Sequence, residues 1–250
     1  MRPIDSFLLA VVQGIAEWLP VSSSGHLVLL RHISGMESGI SFDIFLHFSA
    51  LFVILVFFRK DILLIFSGLR HPDRKAGEYK LVVCILAATA ITGISGLLLR
   101  PFMESLATID VLPFTFLITS ALLFASKMAG ENRKMTIGNA CVIGLLQSLA
   151  LLPGVSRSGA TISAAKMAGI DNREAFRFSF LLAVPAIAGA IILERENLEM
   201  MPASVLITGF LTSFLLGLAS LCLLKKLLIR ERFYLFGFYT LLISILSFLL

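Results

Sequence analysis

The chain has 250 residues, 58% of them hydrophobic and only 15% charged, with a mean hydropathy of +0.94. An ordinary soluble domain is excluded, since charged residues there run at about a quarter. The net charge of +5 does not point to nucleic acid, because the basic residues gather between apolar segments as membrane topology requires.

The first apolar segment, 4–35, is broken at Pro20. It is not read as a signal peptide: it has one basic residue beside Asp5, polar Gln13 and Glu17 within, and no small-residue cleavage site. Spans are predicted next at 41–58, 78–99 and 110–127. A second broken segment, 136–169, is interrupted by Pro153-Gly154, and spans at 174–194, 203–224 and 233–250 follow. The arms of the broken segments are roughly 13 to 16 residues long, short of the ~20 that a crossing takes. Proline removes a backbone donor and clashes with the preceding turn, and broken backbone at membrane depth survives only where protein or water shelters it. Two re-entrant helix–loop–helix hairpins fit this better than two more spans. The expected fold is therefore an all-α multi-pass membrane protein of six transmembrane helices and two re-entrant hairpins. Cys84, Cys141 and Cys222 are isolated in apolar segments and read as packing thiols.

Charge orients the fold. Segments 59–75, 127–134, 166–177 and 225–232, all read as loops, hold fifteen of the twenty-one Lys and Arg residues. Six spans and two hairpins bring all four to one face, which the positive-inside rule makes the cytoplasm. Both termini and the acidic 194–199 segment are then expected outside the plasma membrane.

The halves match each other. "LP-VSSSG" at 19–25 aligns with "LPGVSRSG" at 152–159, pairing Ser22 with Ser156, Ser23 with Arg157, Ser24 with Ser158 and Gly25 with Gly159. Each half is one hairpin followed by three spans, so an odd number of crossings inverts the second copy. The expected organisation is one domain over 1–250, with repeat one at 1–130 and repeat two at 131–250. The two tips meet near mid-membrane, an arrangement familiar from transporters.

The polar residues of the tips select the chemistry. A serine N-cap after Pro20, Ser22 or Ser23, and its counterparts Ser156 and Ser158 put two helix N-termini at one place, a setting for anions. Arg157 is costly inside a membrane and needs a partner; its planar fork suits a phosphate or diphosphate. A buried ion pair with Glu17 is the structural reading of the same residue. Ser23 and His26 lie three apart on one helical face, so a hydroxyl nucleophile and an acid/base group can share a pocket. Gln13 and Glu17 share a face at the end of the first arm. Glu17 can ligate Mg²⁺ or Ca²⁺, which take oxygen donors and bridge phosphates, or it can orient His26. Gln147, His47 and Arg177 read as structural. His47-Phe48-Ser49 and Arg177-Phe178-Ser179 echo one another in the two halves.

With these residues the chain resembles the undecaprenyl-diphosphate phosphatase, or bacitracin-resistance, family over essentially its whole length. Gln13 and Glu17 with Pro20 to His26 carry one motif; Pro153 to Thr161 carry the other. The resemblance implies a membrane hydrolase that removes the terminal phosphate of a long polyprenyl diphosphate and so recycles the carrier for cell-wall glycans. It further implies Ser23 as nucleophile, His26 as acid/base, Glu17 as metal-binding or base-orienting carboxylate, and Arg157 as phosphate anchor. Gln13, Ser22, Ser24, Gly25, Ser156, Ser158 and Gly159 are expected to bind substrate. Many members have Glu where this chain has Gln13, which argues against a two-carboxylate metal site. The expected partners are the lipid and the membrane, with a homodimer as the expected assembly. A lipid-phosphate transporter or flippase is the rival reading; it needs no nucleophile.

Overall fold

The computed structural model describes residues 2–36, 40–71, 73, 76–106, 108–128, 133–194, 196 and 199–250. Among them the only β pairing is an isolated bridge between Arg133 and Ile170; the rest is helix and turn.

The first broken segment folds as α1 (Pro3–Ala16) and α2 (Ser23–Ser34). Pro3 starts α1, where its missing N–H costs nothing, and Asp5 pairs with Arg2 across the first turn. Gly35, in the left-handed region at φ 63°, closes α2. The second broken segment folds as α7 (Ile137–Ser148), capped by Thr136, and α8 (Arg157–Met167), with a 3₁₀ turn at Leu149–Leu151 between them. These four arms have 14, 12, 12 and 11 residues. At ~1.5 Å per residue none exceeds about 21 Å, well short of the ~30 Å apolar thickness of a bilayer.

The remaining helices are α3 (Ile40–Phe57), α4 (Arg59–Arg70), α5 (Ala76–Ser105), α6 (Leu112–Ala125), α9 (Asn172–Leu193), α10 (Ala203–Ile229) and α11 (Leu235–Ser247). By length and composition, α5, α9 and α10 are each able to cross a membrane, and α3 with α4 would make a fourth span if the bent pair counts as one. The spans predicted at 110–127 and 233–250 correspond to shorter helices. 3₁₀ turns extend α6 to run from Ile109 to Met128, and hydrogen-bonded turns flank α11.

The 59–70 stretch differs from expectation. It is not a loop but α4, bent 76° away from α3. Its basic residues sit at its ends, which hid the helix in the charge pattern. Leu63, Leu64 and Phe66 are exposed while Gly68 is buried against Glu78; a helix lying in the membrane interface has such faces.

Helix α1 packs on α10, and α7 packs on α5; α3 packs on α10, and α9 on α5; α6 pairs with α11. Swapping the two halves of the chain turns each of these pairings into another one, or into itself. The division between 130 and 131, and residues 195, 197 and 198 of the acidic segment, lie outside the described residues. Beneath the first tip an aromatic cluster of Trp18, Phe58, Phe176 and Phe180 holds the hairpin down, with the Trp18 and Phe180 rings 5.7 Å apart. Gly217 makes room for the indole, since a Cβ there would lie 2.6 Å from Trp18 Nε1.

Candidate active site

Each tip is built around a capping serine. Ser22 Oγ accepts the N–H of Gly25 at 3.3 Å, and Ser156 Oγ accepts that of Gly159 at 3.1 Å. Each cap hydroxyl also lies 3.3 Å from the hydroxyl two residues on, Ser24 or Ser158. The tips are bonded together: Ser22 Oγ accepts the Gly154 N–H at 3.1 Å. Thr119 of α6 ties the second tip, donating to the Gly154 carbonyl at 2.9 Å and accepting from the Ser156 N–H at 3.0 Å. Gly154 adopts φ 95°, open to glycine at little cost. Ser22 holds φ 68° without being glycine, a strained conformation that persists only where its surroundings dictate it.

Glu17, in the turn after α1, is the hub. Its Oε2 accepts the Ser23 hydroxyl at 2.6 Å and Gln13 Nε2 at 3.1 Å, while its Oε1 accepts Arg157 Nη2 at 2.5 Å. The pair joins the two tips, 140 residues apart in sequence. His47 Nδ1 lies 4.0 Å from Glu17 Oε2 and 3.4 Å from Gln13 Nε2. A cavity of about 340 Å³ opens beside this cluster, lined by Glu17, Ser22, Ser23, Ser24, Ser156 and Arg157 together with His47, Thr92 and Gln147. Arg157 Nη1, Gln13 Oε1 and Gln147 Oε1 are buried and have no hydrogen-bond partner. Buried polar atoms without partners are costly, and two of these three belong to residues that line the cavity, Arg157 and Gln147.

Comparison with known proteins decides the family. The family described as bacitracin resistance protein BacA matches residues 6–246. An undecaprenyl-diphosphatase of Thermosipho africanus is 39% identical, covering 98% of this chain and 99% of its own length. One from Korarchaeum cryptofilum is 37% identical with 98% of each chain covered, and one from Treponema denticola is 39% identical with 96% and 94% covered. The chain belongs to the BacA family.

Within this BacA-family chain, the structure gathers Gln13, Glu17, Ser22, Ser23, Ser24, Ser156 and Arg157 around one cavity or directly behind it. Other expected site residues face elsewhere. Gly25 lies at the contact between the tips: a Cβ there would fall 2.7 Å from Phe116 Cζ and 2.8 Å from Gly154 Cα. Ser158 Oγ lies 3.3 Å from the Trp18 carbonyl, bracing the first tip rather than lining the cavity. Gly159 packs beneath its own cap and against Pro20.

His26 and Ser23 share a helix but not a hydrogen bond. His26 Nδ1 lies 2.7 Å from the Ser22 carbonyl, which can only accept, so the proton is on Nδ1. Its Nε2 is 2.8 Å from the Tyr239 hydroxyl, and the ring lies edge-on to Phe116 and stacked on Tyr239. The group that meets the Ser23 hydroxyl is Glu17. The ion-pair reading of Arg157 is realised too, yet the pair leaves one guanidinium nitrogen free.

His47, which reads as structural in the sequence, lines the cavity beside Gln13 and Glu17. Its only sequence signal is the Phe-Ser echo with Arg177, whose guanidinium reaches Asp61 at 2.6 Å and Glu78 at 2.7 Å. Among the described residues no group of three or more His, Cys, Asp and Glu is placed to hold a metal. The donors at hand are oxygens: the Glu17 carboxylate and the unpartnered Gln13 Oε1. Mg²⁺ commonly takes one or two carboxylates and completes its shell with water and substrate phosphate; Glu17 is the carboxylate that lines the cavity, and both its oxygens accept hydrogen bonds.

Proposed function

We propose that this protein hydrolyses undecaprenyl diphosphate to the monophosphate and inorganic phosphate, recycling the lipid carrier for cell-wall glycan synthesis. The observation that carries the reading is the Ser23 hydroxyl, 2.6 Å from the Glu17 carboxylate in a cavity that Arg157 also lines. A carrier has no use for an activated hydroxyl, and the related proteins are named diphosphatases.

In this reading the terminal phosphate enters between the tips. Arg157 engages it through the free Nη1 and then by releasing Nη2 from Glu17, which exchanges a carboxylate partner for a phosphate one. Glu17 takes the Ser23 proton through Oε2, the oxygen that already accepts that hydroxyl. Ser23 Oγ attacks the terminal phosphorus, the bridging P–O bond breaks, and the polyprenyl monophosphate leaves with the proton that Glu17 returns to its oxygen. Water then attacks the phosphoserine, its proton passing to Glu17, which hands it to Ser23 Oγ as the P–O bond breaks and phosphate departs. The Ser22, Ser24 and Ser156 hydroxyls are placed to donate to phosphate oxygens. His26 holds the Ser22 carbonyl and with it the strained cap, a positioning role. Glu17 and Gln13 Oε1 would hold a divalent cation, Mg²⁺ or Ca²⁺, which supplies neutralisation of the diphosphate charge when bound.

The same proposal places the protein in the plasma membrane as two inverted repeats, with both termini outside and the basic segments inside. It includes a homodimeric assembly, which mass measurement in detergent checks. The decisive assay is phosphate release from undecaprenyl diphosphate by the purified protein, with and without chelator. Release that chelator abolishes is expected. No release from the lipid refutes the hydrolase, and release indifferent to chelator refutes the cation at Glu17.

A further inference from the structure

A second cavity, of about 450 Å³, adjoins the polar one. Thr92, Leu151, Pro153, Ala186 and Ala190 line both, so the two lie side by side. The second cavity runs between α5 and α9, past Gly93, Gly96 and Leu97 on one side and Pro185, Gly189 and Leu193 on the other. Their flanking residues Ile94, Leu98 and Ile192 are well exposed, which makes this the lipid-facing side of both helices.

Its glycines are not explained by packing. A Cβ on Gly14, Gly144, Gly209 or Gly217 would come within 3 Å of a neighbouring atom, whereas a Cβ on Gly93 or Gly189 meets nothing within 4 Å. At these two positions, therefore, a longer side chain would project into open space rather than into a neighbour. The adjoining cavities also differ in polarity. Gln147, only 2% exposed, and Arg157 both bring unpartnered polar atoms to the first cavity; the lining of the second is mostly hydrocarbon.

We infer that the gap between α5 and α9 receives the isoprenoid chain of the substrate, threaded sideways from the bilayer, and that Gly93 and Gly189 keep it open. The inference rests on the diphosphatase reading of the adjoining site. Moving a tail from lipid into such a groove gains no hydrophobic energy, since lipid is equally apolar; selection there is by shape. From Pro185 to Leu193 the helix rises about 12 Å, so the groove holds only the part of the chain next to the diphosphate, and the remainder stays in the membrane.

The test compares two substrates on the purified full chain in detergent. Gly93→Leu and Gly189→Leu should lower kcat/KM for undecaprenyl diphosphate at least about tenfold while isopentenyl diphosphate stays within about twofold. Gly93→Ala and Gly189→Ala should leave both substrates near wild type. Equal rates in the leucine variants, or equal losses on both substrates, would overturn the groove. Should those variants fail to fold, Gly93→Cys serves instead, with maleimide addition at position 93 read by mass spectrometry. Undecaprenyl diphosphate should slow the addition and inorganic diphosphate should not; slowing by neither or by both contradicts the assignment. Wild-type protein that releases phosphate from neither substrate refutes the hydrolase itself, and the labelling experiment still reports on the tail.

Discussion

Ser22 and Ser156 cap their helices alike, each accepting the N–H three residues on and each lying 3.3 Å from the hydroxyl two residues on. The side chains around the two caps differ. The first tip places Ser23 next, with Glu17 beneath it and His26 one turn on; the second has Arg157, Ala150 and Ala160 at the matching positions. One tip therefore brings the hydroxyl and the carboxylate, and the other brings the cation. A shared backbone supplies two anion-ready helix ends, and a few side chains divide the chemistry between them. Neither tip is complete alone, because the Glu17–Arg157 contact spans both.

After the nucleophile itself, the contrast breaks most severely at Arg157. Arg157→Lys keeps the charge but loses the fork, so it cannot hold carboxylate and phosphate in turn. Turnover should fall by about 10²–10³, the usual loss on removing one donor to a developing charge, with the melting temperature in detergent little changed. Near-wild-type turnover would leave Arg157 as a structural ion pair.

Glu17 and Gln13 sharpen the division next. Glu17→Gln should weaken Mg²⁺ binding more than Gln13→Ala does, because only Glu17 carries charge. Calorimetric titration of the purified variants with Mg²⁺ measures it without any need for turnover, and equal shifts would remove Glu17 from the cation site. Matched glycines give a smaller effect. Gly25→Ala drives a Cβ into Phe116 and the Gly154 backbone, whereas at Gly159 the nearest atom is 3.0 Å away in Ser156. Overpacking costs about 1–3 kcal/mol, so thermal unfolding should show Gly25→Ala clearly less stable than Gly159→Ala. The smallest effect is Ser156→Ala, a lost cap of about 1 kcal/mol. Ser22→Ala should exceed it, since it also strands the Gly154 N–H.

Much of this is legible in the sequence alone. Pro20 and Pro153-Gly154 mark the breaks because proline cannot continue a helix, and the tip motifs announce the caps because serine competes for free N–H groups. Helix α4 is hidden because basic residues at its ends outweigh its apolar face in a charge-based reading. The partner of Ser23 escapes the sequence for a geometric reason. A three-residue spacing puts His26 on the same face, but the N-terminal residues of a helix lean toward the preceding turn, where Glu17 waits. His47 reaches Gln13 and Glu17 from α3, and such a contact between elements has no local sequence signal. The glycines of the α5–α9 gap are unremarkable in the chain, because what matters there is the absence of a neighbour.

If the first tip performs the attack while the second holds the phosphate, Ser23→Ala separates the two roles. The substitution removes the hydroxyl and leaves the Ser22 cap and the Glu17–Arg157 contact in place. A lost hydrogen bond to substrate weakens affinity by about 0.5–1.5 kcal/mol, roughly tenfold at most. A lost nucleophile lowers turnover by several orders of magnitude. Phosphate release and undecaprenyl diphosphate binding should be measured on the same preparation. Turnover reduced by about 10³ or more with binding held within about tenfold is the predicted result; turnover reduced only in step with binding would contradict the account and make Ser23 a binding hydroxyl.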